Sequence, residues 1–202
     1  MRTKKLFPIL LVALFLSGCV VYSFYPLYTA KDLFPNEILT GTWTDSDSTV
    51  WKFEHPTVVK DGIKSIDKTS FELHLKQKDE SEFDESRFSV HIVKLGGNYF
   101  LDFYLKDMLG KSNLILNDFH IIPVHTFARL TVKNNELLIN WFDQKWLNEL
   151  IRQNKIRIHH ESNAEFVLLT AKPGALQKFV TKYVNSEEAF KDGLSVNLTR
   201  NR

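Results

Sequence analysis

Residues 88–105 read FSVHIVKLGGNYFLDFYL, and this stretch decides the fold class. Phe88, Val90 and Ile92 fall on alternate positions, the period-2 pattern of a half-buried strand. Gly96-Gly97 marks a tight turn into a second strand over Tyr99–Leu105, so the pair predicts a hairpin. That second strand is apolar on both faces except at Asp102, and its outer side therefore needs a cover. Working outward, Phe71, Leu73 and Leu75 alternate with Glu72, His74 and Lys76 in a further strand. Earlier, Leu39–Thr44 and Val50–Glu54 flank the polar cluster Asp45-Ser46-Asp47-Ser48, which reads as a loop. Later strands are predicted at Leu114–Leu116, Ile121–Val132, Glu136–Phe142, Ile156–His160 and Glu165–Thr170. Short strands at regular spacing with turn signals between them predict a barrel or a sandwich.

Two helices interrupt the pattern. Asp143 caps one near 143–153 that gathers Trp146, Leu147, Leu150 and Ile151 on one face. Pro173 opens another near 173–184, with Leu176, Phe179, Val180, Tyr183 and Val184 at helical spacing. These amphipathic helices are the natural cover for Tyr99–Leu105. The tail, Asn197–Arg202, reads as frayed. The predicted fold is mainly β: an antiparallel up-and-down barrel, or barrel-like sheet, with two C-terminal amphipathic helices.

Composition agrees with one β-rich domain over residues 39–202. The chain of 202 residues is 44% hydrophobic with 8 Gly and 6 Pro, which excludes collagen-like and disordered classes. Its net charge of +2 rests on Arg2, Lys4 and Lys5; beyond them, 23 basic side chains face 24 acidic ones. A charge-driven nucleic-acid partner therefore has no support.

Those three basic residues open a secretory-type leader over residues 1–18, followed by the apolar run Leu6–Leu16. The end of it, Leu16-Ser17-Gly18-Cys19, resembles the lipobox of bacterial lipoproteins. That resemblance implies cleavage between Gly18 and Cys19, a diacylglyceryl thioether on Cys19 and a fatty-acyl (palmitate-type) anchor as the link to a membrane. Cys19 is the only cysteine, so no disulfide or thiolate metal site competes for it. Val20 after the cysteine, where Asp would mark retention in the inner membrane, implies the outer membrane. The acid-free Val20-Val21-Tyr22-Ser23-Phe24 implies its periplasmic face. In a host with one membrane, the expectation is the plasma membrane. Residues 19–38 then carry the lipidated cysteine and an aromatic segment, with Tyr22, Phe24, Tyr25 and Tyr28 close together. They are expected to pack on the domain as a strap, the alternative being that their rings sit at the membrane interface.

Gly41-Thr42-Trp43, opening the first strand, resembles the Gly-X-Trp signature of lipocalins and related calycin barrels. The resemblance implies a Trp plugging the closed end, an open end that admits an apolar ligand, and a last-strand Arg packed over the Trp. Arg129 and Arg157 are the candidates for that Arg. Tyr25–Leu33 (YPLYTAKDL) and Pro123–Phe127 (PVHTF) also resemble a group of bacterial envelope lipoproteins without assigned activity, a likeness that implies location only.

Catalytic chemistry finds no motif. Gly110-Lys111-Ser112 lacks the first Gly of a phosphate loop, which would fall on Leu105, and no G-x-S-x-G or H-E-x-x-H occurs. His74 and His91 share the polar phase of their strands and could meet across a sheet, but solvated imidazoles are the simpler reading. No catalytic residue, metal or cofactor is expected. Two functions follow. In the first, the barrel binds a small hydrophobic ligand, with Trp43, Trp51, Phe71, Leu73, Phe88 and Phe103 lining the pocket. In the second, the barrel is filled by its own side chains and its surface meets another envelope protein.

Overall fold

The computed structural model describes residues 20–76, 85–109, 122–163 and 166–201. In chain order the elements are β1 (Tyr22–Ser23), β2 (Gly41–Thr44), β3 (Val50–Glu54), β4 (Thr57–Lys60), β5 (Ile63–Ile66) and β6 (Phe71–Lys76). Then come β7 (Glu85–Leu95), β8 (Asn98–Leu109), β9 (His125–Lys133), β10 (Glu136–Trp141) and helix α1 (Gln144–Arg152). The chain finishes with β11 (His160–Ser162), β12 (Val167–Leu169), helix α2 (Pro173–Tyr183) and β13 (Ser195–Arg200).

Eight of these strands close a barrel in the order β2-β3-β6-β7-β8-β9-β10-β13, and β13 returns to pair with β2. Every neighbouring pair in the ring is antiparallel, so this is an up-and-down barrel with two helices in its C-terminal part. The alternation read in the sequence sets the two faces. Phe71, Leu73, Val90, Ile92, Leu101 and Phe103 are buried together in the barrel interior. The hairpin expected at Gly96-Gly97 joins β7 to β8, with both glycines at positive φ.

A second apolar cluster lies outside the barrel wall. Val93, Phe100 and Phe127 point outward and are covered by Leu176, Phe179 and Val180 of α2 and by Leu147 of α1. Each such side chain removed from water contributes about 1.5–3 kcal/mol. Helix α1 begins where expected: an Asp143 carboxylate oxygen accepts the Lys145 N–H at 2.7 Å. The segment after residue 19 joins the same cluster through Val21 and Leu27, both fully buried. There β1 takes a place on β9 that β10 leaves vacant. β10 pairs with Ala128–Lys133, whereas β1 pairs with His125 and Thr126 and continues, in parallel, to β12.

Several boundaries differ from the sequence reading. The tail expected to fray from Asn197 onward instead supplies residues 197–200 of β13, because Val196 and Leu198 face the interior and β10 hydrogen-bonds one edge of the strand. The late strands shrink to β11 and β12 and lie outside the ring, since β12 pairs with β1 and β11 with β12. β9 starts at His125 rather than Ile121. The β4–β5 hairpin was not anticipated; its Asp61-Gly62 turn projects four exposed residues on each strand. The predicted strand Leu114–Leu116, the motif Gly110-Lys111-Ser112, residues 1–18 and Cys19 lie outside the described residues.

Candidate functional site

An eight-stranded barrel is just wide enough either to fill with side chains or to hold one small ligand. Here the two ends take different courses. At the end where the chain enters β2, the interior is solid. Trp43 is 1% exposed and sits among Leu39, Phe53, Phe71, Leu137 and Leu198. Its Nε1–H donates to the Leu39 carbonyl at 2.7 Å, which fixes the indole across the floor.

At the opposite end, beside the β2–β3 turn, a cavity of about 470 Å³ opens. Its walls are Trp51, Leu73, Leu75, Phe88, Phe103 and Trp141, with Val196 and Leu194 from the closing strand and its approach. The two indoles are tied back by their N–H groups. Trp51 Nε1 donates to an Asp45 carboxylate oxygen at 3.0 Å, and Trp141 Nε1 to the Thr126 hydroxyl at 3.3 Å. With those donors satisfied, the rings offer apolar faces to the space. A register shift between Arg87 and Phe88 places a bulge at this rim, as bulges near barrel ends commonly do. Asp45, Asp47 and Thr49 of the β2–β3 turn, and Val20 and Tyr22, complete the mouth.

Four of the six expected pocket residues, Trp51, Leu73, Phe88 and Phe103, line this cavity. Trp43 and Phe71 do not. They belong to the solid end, where Phe71 packs edge-on to Phe53 and is stacked by His55. Trp141 and Leu75 were missed, although Trp141 shares the inward phase of Leu137 and Ile139 on β10, as Leu75 does with Leu73 on β6.

The solid end also explains Gly41 and Trp43 as a unit. Arg200, on the last strand, lies over the Trp43 ring with its guanidinium carbon 4.1 Å from the centroid, and its Nη1 donates to the Thr40 carbonyl at 2.6 Å. A Cβ on Gly41 would stand 2.8 Å from that Nη1, and Gly41 has φ +118°. Glycine is therefore required twice over, for its backbone angle and for the cation's seat. The Arg implied by the lipocalin resemblance is Arg200, not Arg129 or Arg157. Arg129 is on the outer face, bonded to the Val184 carbonyl and stacked on Phe190. Arg157 lies beside α2.

Comparison with family models, curated proteins and solved structures gives no match.

A second group of polar side chains lies on the barrel's outer face beneath the strap. Asp102 is fully buried; one carboxylate oxygen accepts the Leu27 N–H at 2.7 Å and the other is 2.7 Å from His125 Nδ1. Tyr28 stacks on His91 with centroids 4.2 Å apart. Burial, helped by Asp102, pushes the Tyr28 hydroxyl up to about 12. Burial likewise holds the His91 imidazole below its ordinary value, against the opposing pull of Asp102 and Asp67. These groups fasten the strap. His74 and His91 do not meet: His74 is opposite Arg87 and within reach of Glu54 and Glu72. Among the described residues, no three His, Cys, Asp or Glu side chains form a metal-binding group, and no helix is long and apolar enough to cross a membrane.

Proposed function

We propose that this protein is a lipid-anchored envelope lipoprotein whose barrel binds a small hydrophobic ligand. The observation that carries the reading is the cavity at the open end. Its volume of about 470 Å³ falls in the range of roughly 300–1,000 Å³ found for small-molecule sites. Its walls are aromatic and aliphatic, and its polar atoms gather at the mouth. The anchor reading rests on Leu16-Ser17-Gly18-Cys19, and the choice of outer membrane on Val20. The two readings support each other, because Val20 lines the mouth and directly follows Cys19. A lipid on Cys19 sets that mouth beside the bilayer, where hydrophobic molecules reside.

Two experiments test this. Replacing Cys19 with Ser should abolish labelling by a fatty-acid probe and leave unprocessed precursor; unchanged labelling overturns the anchor. For the cavity, a neutral fluorescent probe should bind saturably, alter Trp emission and raise the melting temperature. A ligand at a hundredfold excess over Kd stabilises the fold by about 2.7 kcal/mol. Leu73→Trp should fill the space and weaken binding while unfolding stays cooperative. No binding by a folded protein would favour the interaction reading instead. The observation on that side is the β4–β5 hairpin, where Val59, Ile63 and Ile66 are each more than 60% exposed.

A further inference from the structure

The walls of the cavity are apolar, and the charged side chains among the described residues at its mouth are of one sign. Among the described residues that line it there is no Lys, Arg or His, whereas Asp45 and Asp47 both stand at the rim. Asp45 is held in place: one carboxylate oxygen accepts the N–H groups of Asp47 and Thr49 at 3.0 and 2.9 Å, and the other accepts the Trp51 indole. The Asp47 carboxylate is at an exposed position on the same turn. Tyr22, Thr49, Ser86 and Thr126 are the neutral hydroxyl-bearing residues of the same lining.

Building on the ligand-binding reading, we infer that the cavity selects amphiphiles by charge: a single hydrocarbon chain with a cationic head binds best, a neutral head next, and a carboxylate head worst. The chain goes to Trp51, Leu73, Phe88, Phe103 and Trp141, and the head stops at the β2–β3 turn. A carboxylate there loses water, meets no cation among the described lining residues and stands beside two charges of its own sign. An ammonium head meets both carboxylates. The site is thus a poor carrier of fatty-acid anions and a good one of amine-bearing or quaternary-ammonium amphiphiles.

The test uses the chain from Val20, which contains every strand among the described residues and both apolar clusters, with cooperative unfolding as the check on folding. Three ligands with a twelve-carbon chain, dodecyltrimethylammonium, dodecanol and laurate, displace a neutral fluorescent probe at pH 8 and low salt, the two charged ones below their micelle concentrations and dodecanol below its solubility. The cation should bind about tenfold or more tighter than laurate. The gap should shrink severalfold in Asp47→Asn and further in Asp45→Asn/Asp47→Asn, where Asn keeps the acceptor for the turn. It should also narrow in high salt, as exposed charges do. Dodecanol should be nearly indifferent to both changes. Laurate binding as tightly as the cation, or a gap unaltered in Asp47→Asn, overturns the charge selection while leaving the pocket intact. Failure of all three ligands on a folded chain overturns the pocket itself.

Discussion

At one end of the barrel Trp43, Phe53 and Phe71 are buried together with Leu39; at the other, Trp51, Phe88, Phe103 and Trp141 surround about 470 Å³. Both ends use the same eight strands and the same kinds of side chain. The difference lies in what holds the rings. Trp43 is drawn inward by a carbonyl of the segment that crosses beneath the barrel and is covered by Arg200. Trp51 and Trp141 are drawn toward the rim and the neighbouring strand. Where an indole N–H finds its acceptor thus separates a packed floor from an open cup, and aromatic content alone does not.

The contrast can be broken most severely at Trp43. Trp43→Ala should cost about 3–5 kcal/mol, read as a lower denaturant midpoint at constant slope. Phe88→Ala, removing a ring of similar class from the cavity wall, should cost only about 1 kcal/mol yet weaken probe binding. Equal losses from the two substitutions would mean that the ends are not distinct.

Less severe is Gly41→Ala, which forces a side chain onto a positive φ and into Arg200. A loss of about 1–3 kcal/mol is expected. If the clash with Arg200 contributes, combining it with Arg200→Ala should be less than additive. Full additivity would leave the backbone angle as the sole cause.

Much of this architecture was legible. The period-2 runs at Phe71–Lys76 and Phe88–Ile92 need only local chemistry to read, and so do the Asp143 cap and the proline at the start of α2. What escaped depends on partners distant in sequence. Ser195–Arg200 alternates as a strand should, but its value as one comes from β10 and β2. Trp43 and Phe71 were assigned to the pocket because inward phase says nothing about depth along the barrel axis. Arg200 was overlooked because a cation inside a barrel makes sense only once its seat above Trp43 and beside Gly41 exists. The β4–β5 hairpin is different: its Asp61-Gly62 turn was a usable local signal.

The smallest expected effect concerns the outer face, which belongs to neither end. Because burial keeps the His91 proton affinity low in the fold, the unfolded chain takes up that proton first. The stability involved is complete above the unfolded-chain value of about 6.5 and is lost as pH falls from there through the lower folded value. A melting temperature that drops as pH falls below about 6.5, and drops less in His91→Phe, is the expected outcome. An identical slope in the variant would remove His91 from the account.

One feature of the seam governs how the molecule comes to be. The ring is sealed where Arg200 and Thr199 meet Trp43 and Thr44, and the Arg200–Thr40 bond spans 160 residues of sequence. No earlier pairing can substitute for it, so the first barrel strand waits for the last. Closing so long a loop costs entropy before any contact repays it, which makes this a slow-folding topology. A chain that must thread a membrane channel before it folds, as the proposed anchor requires, is served by that delay: the floor of the cup cannot lock until nearly all of the polypeptide has passed through.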